Sequence, residues 1–199
     1  MLSQCAMDKG IRIIEKPDWV TWDEIHDVVW AAHEENRRAG IRMKFPSLPG
    51  AEIEQRIGER GKMLVAVDGK AVVGTAAVVF KNQNLWCGEG VYAYCCFGSV
   101  LPSARGTGIY RKMCLEREKI ASASGVNRML FDTNLRNKRE IDISKKNGYH
   151  KVGLRYWGDH FNVVCVKWLD ECPYTSARLN IEYLKRCIAT LVKALLHRR

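Results

Sequence analysis

One stretch constrains the fold more than any other. Val91 to Leu101 is a long apolar run, Pro102 ends it, and Arg105-Gly106-Thr107-Gly108 follows within a few residues and opens a helical pattern. A strand that turns through two glycines into a helix sets the unpaired N–H groups of that helix start beside the strand end, where the helix dipole also favours negative charge. Glycines let an anion approach those amides closely, so the segment reads as an anion cradle suited to phosphate. Its order excludes two familiar nucleotide sites: no Gly-Lys-Ser/Thr follows, and the spacing is not G-x-G-x-x-G. Within the strand, Gly98 signals a bulge or a close backbone approach.

The patterns on either side fix the setting. Ile11 to Glu15 predicts a short strand, and Thr21 with Glu24 forms a capping box for a helix whose apolar positions are Trp22, Ile25, Val28, Val29 and Ala32. Arg37 to Gly50 has two Gly, two Pro and no period, which predicts a loop able to cover a site, followed by a short helix at Ala51 to Glu59. Met63 to Val67 and Ala71 to Phe80 are β-branched runs joined by Asp68-Gly69, a hairpin signal. A helix from Gly106 to Ser124, a strand from Arg128 to Thr133, a helix from Asn137 to Asn147 closed by Gly148, and strands at Tyr149 to Leu154 and Asn162 to Trp168 complete the series. This order predicts an α/β (α+β) domain over residues 1–170, with a mixed, mostly antiparallel central sheet flanked by helices.

Residues 171–199 add a basic amphipathic helix, with Leu184, Cys187, Ile188, Leu191, Val192, Leu195 and Leu196 at helical spacing. Docking on its own domain or forming a homodimer ranks ahead of peripheral contact with an anionic membrane. The basic residues are less enriched than in dedicated membrane-surface helices.

With 199 residues, 47% hydrophobic and 27% charged, the chain has the size and composition of one globular domain. No apolar run approaches the ~20 residues of a spanning helix. The start, MLSQCAMDKGIRIIEK, shows no basic-then-apolar leader pattern, so a cytoplasmic location is expected. Eight cysteines without a C-x-x-C pair and five histidines without an H-x-x-x-H pair predict reduced thiols and no metal site. Cys95 and Cys96 are adjacent in a strand and are expected to pack on opposite faces of the sheet rather than act as nucleophiles. Charge is regional: residues 101–151 hold 12 Lys and Arg against 5 Asp and Glu, a balance suited to a polyanionic ligand such as a nucleotide or nucleic acid.

Arg105-Gly106-Thr107-Gly108-Ile109-Tyr110 resembles the Q/R-x-x-G-x-G/A signature of the GNAT family of acyl-CoA-dependent N-acetyltransferases. Val100-Leu101-Pro102 before it, Asn137 at the next helix start and Gly148-Tyr149 beyond that helix extend the resemblance, which covers residues 11–169. The resemblance implies a GNAT-like acyl-CoA N-acyltransferase fold using acetyl-CoA as cosubstrate, with no metal. It implies a pyrophosphate on Arg105, Gly106, Thr107, Gly108, Ile109 and Tyr110, with Asn137 nearby. The pantetheine arm would run between the strands ending near Val100 and Asn134, held by the Val100 backbone. Tyr110 stands where the family has Gly or Ala, which predicts crowding or redirection of the pyrophosphate.

The implied reaction is direct attack, in a ternary complex, by a primary amine of a small-molecule acceptor. It needs a neutral amine, a donor to the thioester oxygen and an acid for the departing thiolate. The family's acid is a Tyr that falls at Ser144 here, a weaker donor; Tyr149, Tyr110 or no acid are the alternatives. For the base, the strand before the cradle offers Glu89 at its start, with Tyr94 or backbone groups as guides, and Asp159-His160 is a third candidate. A rival reading is a non-catalytic or RNA-associated module, or a tRNA or protein acetyltransferase, using the basic 101–151 face. The intact Arg105-Gly106-x-Gly108 turn favours the small-molecule enzyme over nucleic-acid binding.

Overall fold

The computed structural model describes residues 10–196, so Cys5 and the outermost residues of the tail lie outside the described residues. Seven strands form one sheet: β1 (Arg12–Glu15), β2 (Gly61–Asp68), β3 (Ala71–Leu85), β4 (Gly88–Val100), β5 (Arg128–Asn134), β6 (His150–Tyr156) and β7 (Phe161–Trp168). Their order is β1-β2-β3-β4-β5-β7-β6, and every neighbouring pair is antiparallel except β4 and β5. The sheet is mixed and mostly antiparallel, as the order of patterns implied.

Among the described residues six α-helices accompany it: α1 (Trp22–Ala32), α2 (Glu34–Arg38), α3 (Gly50–Ile57), α4 (Ile109–Ala123), α5 (Lys138–Lys146) and α6 (Ser176–Leu196). Thr21 caps α1 through the capping box with Glu24. Alternation along the strands builds two cores. Val65, Val67, Ala77 and Cys96 pack with α1 and α3 on one face. Ala66 and Ala76 meet α4, and Val78, Cys95 and Phe131 lie with Ala121 of α4 and Ile141 of α5, on the other. Cys95 and Cys96 therefore do face opposite ways. All seven described cysteines are unpaired.

The widest departures from the sequence expectation lie at three places. The β3–β4 hairpin runs on to the Leu85–Gly88 pair, well past Phe80, because backbone pairing continues through Lys81-Asn82-Gln83-Asn84 although no apolar alternation marks it. α4 begins at Ile109 and not at Gly106, since Gly106 and Gly108 adopt left-handed φ of 81° and 80°. The Arg37 to Gly50 stretch contains the end of α2 and a short 3-10 turn at Phe45–Ser47. No described helix is long and apolar enough to cross a membrane.

Two features of β4 shape the site. Thr75 pairs with Ser99 but Ala77 with Cys96, so an extra residue bulges from β4, with Phe97 at φ 52° and its carbonyl accepting from the Thr75 hydroxyl at 2.8 Å. The bulge signalled by Gly98 lies at that position. β4 also pairs with β5 only at Ala93–Met129 and Tyr94–Leu130. Beyond those two pairs the parallel strands part and open a gap through the sheet.

Candidate active site

The end of β4 leads through a 3-10 turn at Pro102–Ala104 into the glycine turn. A Cβ added to Gly106 or Gly108 would meet nothing within 4 Å, so glycine is required there by φ and not by space. Gly108 is the N-cap of α4 and no side chain caps it. The first amides of α4 are thus left for an outside partner. They border a cleft of about 490 Å³ whose lining includes Val100, Gly106, Gly108, Ile109, Arg111, Asn137, Arg139 and Lys146. Open glycines, uncapped amides and three cationic side chains fit a diphosphate ligand.

The other cradle residues divide the work. Arg105 braces the loop: its guanidinium donates to Glu35 (2.7 Å), the Ala32 carbonyl (2.7 Å) and the Val100 carbonyl (3.3 Å). The Thr107 hydroxyl donates to the Ala104 carbonyl at 2.7 Å, inside the loop. Ile109 is buried and offers only its backbone. Asn137 caps α5, accepting from the Glu140 amide and donating to Thr133. Tyr110 does not crowd the cradle. Its ring turns inward over Gly98, where an added Cβ would lie 3.2 Å from it, and its hydroxyl donates to Glu140 at 2.6 Å.

His33, at the junction of α1 and α2, joins this cleft and was not singled out by the sequence. One ring nitrogen lies 3.2 Å from the Ser99 hydroxyl and the other 3.1 Å from the Asn36 amide. Burial, helped by Arg37 and Arg105, pushes its pKa down to about 4.

The cleft narrows to a neck of about 70 Å³ where β4 leaves β5, lined by Cys95, Cys96, Phe97, Tyr110, Arg117, Ser144 and Tyr149 among others. Arg117 is buried there, with one nitrogen donating to Cys114 and its Nε unpartnered. Burial raises the pKa of the Cys95 thiol and pushes that of Cys96 up to about 12, so neither is a thiolate at neutral pH. Burial and then Glu140 hold Tyr110 protonated, and burial raises Glu140 in turn.

Beyond the neck lies a third cavity of about 760 Å³, sharing Met43, Phe45, Asp132 and Thr133 with it. Asp132 of β5 accepts from Tyr94 (2.7 Å), Asn162 (2.6 Å) and, at 3.5 Å, Arg155. Burial and then Asp132 raise the Tyr94 hydroxyl. His160 also lines this cavity, next to Asp159, which pairs with Arg42.

A profile of the Acetyltransferase (GNAT) family matches residues 22–149. The chain belongs to the GNAT acetyltransferase family. Solved structures agree at the level of fold. An acetyltransferase from Streptococcus agalactiae 2603 is 20% identical with TM-score 0.63, the match covering 80% of this chain and 99% of that one. An aminoglycoside 6'-acetyltransferase type Ii is 19% identical with TM-score 0.61, covering 81% and 99%. A GCN5-related N-acetyltransferase from Kribbella flavida is 19% identical with TM-score 0.59, covering 80% and 98%. A search of curated proteins finds no match. Membership of the GNAT family implies an acyl-CoA cosubstrate, and the glycine cradle is where this chain can hold one.

On the GNAT frame the expected catalytic residues separate. Glu89 is exposed near the start of β4, on the far side of the Ala93–Met129 pair from the gap, and lines none of the three spaces. It stands too far along the strand to serve as base. Ser144 lines the neck but gives its proton to the Ile141 carbonyl at 2.8 Å, so it brings no free donor. Tyr94 is on the third cavity, bound to Asp132. Tyr149 points its hydroxyl at Cys95 and Met129 sulfurs. Asp132 escaped the sequence reading, although Asp132-Thr133-Asn134 makes a polar end to an otherwise apolar strand.

Proposed function

We propose that this chain transfers an acetyl or short acyl group from acetyl-CoA to a primary amine of a small-molecule acceptor, by direct attack with both substrates bound. The observation that supports it is the continuity of the three spaces: cradle cleft, neck and third cavity share residues in series across the β4–β5 gap. A ligand entering from either side reaches the same neck.

The chain's own groups then take distinct parts. The amides of Ile109 to Arg111, with Arg111, Arg139 and Lys146, hold the phosphates. Asp132, its oxygens fixed by Tyr94 and Asn162, receives the acceptor's ammonium group and takes the proton the amine loses. Tyr110 lines the junction of cleft and neck with its hydroxyl given to Glu140, so it brings no free donor, and the departing thiolate takes the proton that the attacking nitrogen sheds as the amide forms. Cys95 and Cys96, kept as thiols by burial, give no support to an acyl-cysteine route.

Calorimetric titration of acetyl-CoA into wild type and Gly108→Glu tests the reading. The substitution puts a side chain with negative charge at a left-handed position on the cradle. Micromolar binding lost in the variant is expected. No binding to either protein, or equal binding to both, overturns the proposal.

A further inference from the structure

We infer that the acceptor carries an anionic group, a carboxylate or a phosphate, in addition to its amine; this rests on the acyl-transfer reading above. The third cavity is unequal in charge. Arg37, Arg42, Lys44, Arg56, Lys81 and Arg155 line it, drawn from α2, α3, β3, β6 and the loop before α3, against one lining carboxylate, Asp132. Asp159 pairs with Arg42, and Arg155 leans on Asp132. Arg37, Lys44, Arg56 and Lys81 have no carboxylate within 4.0 Å among the described residues.

Two of these cations are held in place. The Lys81 ammonium sits 4.8 Å over the Tyr94 ring, and the Arg37 guanidinium stacks 3.6 Å from the Trp30 ring centroid. Asp132, at the neck, is the one lining group suited to an ammonium, and the surplus of positive charge surrounds it. An acceptor with its amine on Asp132 and an anion toward Arg56 and Lys81 satisfies both ends. A polyamine would bring further charge of the same sign as the lining and be excluded.

The test is a panel of primary amines, read by free-thiol release from acetyl-CoA: β-alanine for the carboxylate, O-phosphoethanolamine for the phosphate, ethanolamine as neutral counterpart and spermidine as polycation. Calorimetric titration of the same amines into protein saturated with coenzyme A gives a second readout. Transfer confined to one or both acidic amines is expected, and which of the two is taken separates carboxylate from phosphate. Arg56→Gln with Lys81→Gln should raise KM for that acceptor about tenfold with kcat held. Ethanolamine or spermidine used as well as the acidic amines, no transfer to either acidic amine, or an unmoved KM overturns the inference while acetyl-CoA binding leaves the acyl-transfer reading standing. Absence of acetyl-CoA binding takes down both.

Discussion

His33 is neutral at pH 7 because the fold surrounds it. Burial and the nearby Arg37 and Arg105 bring its pKa from 6.5 to about 4, so between those values the unfolded chain binds a proton that the folded chain resists. Stability conferred by this site is therefore complete above pH 6.5 and is lost as pH falls toward 4, by about 3 kcal/mol at most. Urea titrations of wild type and His33→Gln at neutral pH and near pH 4 should show a smaller acid loss in the variant. An equal loss in both would mean that His33 titrates normally in the folded state. Nothing in the sequence around His33 marks it, because its environment comes from β4 and the glycine turn, far along the chain. Glu89 and Asp132 differ in the same way. The chain order suggests a carboxylate from the strand before the cradle, but the carboxylate at the neck comes from β5, brought there by the parting of two parallel strands.

At the scale of elements, legibility follows the apolar period. α1 with its capping box, the Asp68-Gly69 turn and α5 closed by Gly148 lie close to where their patterns place them, since local propensity and tertiary burial agree. The far half of the β3–β4 hairpin had no such signal, because its side chains are polar and its pairing is made by the backbone. α6 was legible as an amphipathic helix but not in its orientation. Seven apolar residues look alike in sequence, yet Cys187 turns toward the body and the other six are exposed. β6 is the outer strand of the sheet, and α6 packs against it, an arrangement that shields an edge from further strand pairing. The anchor is Leu179, buried with Val152, Val164 and Trp168. Leu179→Ala should cost roughly 2–5 kcal/mol in denaturant unfolding, the range for a truncated core leucine. A cost of a few tenths would show that α6 is held elsewhere along its length.

The charge of the whole molecule divides between structure and ligand. Of the basic residues in 101–151, Arg105 is bound to Glu35, Lys119 to Glu116, and Arg117 lies buried in the neck. Arg111, Arg139 and Lys146 remain on the cradle cleft. A diphosphate and a 3′-phosphate facing three side chains predict a moderate salt dependence for acetyl-CoA binding, shallower than that of a nucleic-acid surface, which releases many counterions at once. The three are not equivalent. Glu35 stands 3.6 Å from Arg139 and already offsets part of its charge, while Lys146 has no carboxylate within 4.0 Å among the described residues. Lys146→Gln should therefore weaken acetyl-CoA binding more than Arg139→Gln, by about fivefold at low salt, and the difference should close as salt rises. Calorimetry on both variants across a salt series reads this directly. The reverse ranking would mean that Arg139 leaves Glu35 to take a phosphate, and a gap that persists at high salt would mean that Lys146 acts through packing and not through charge.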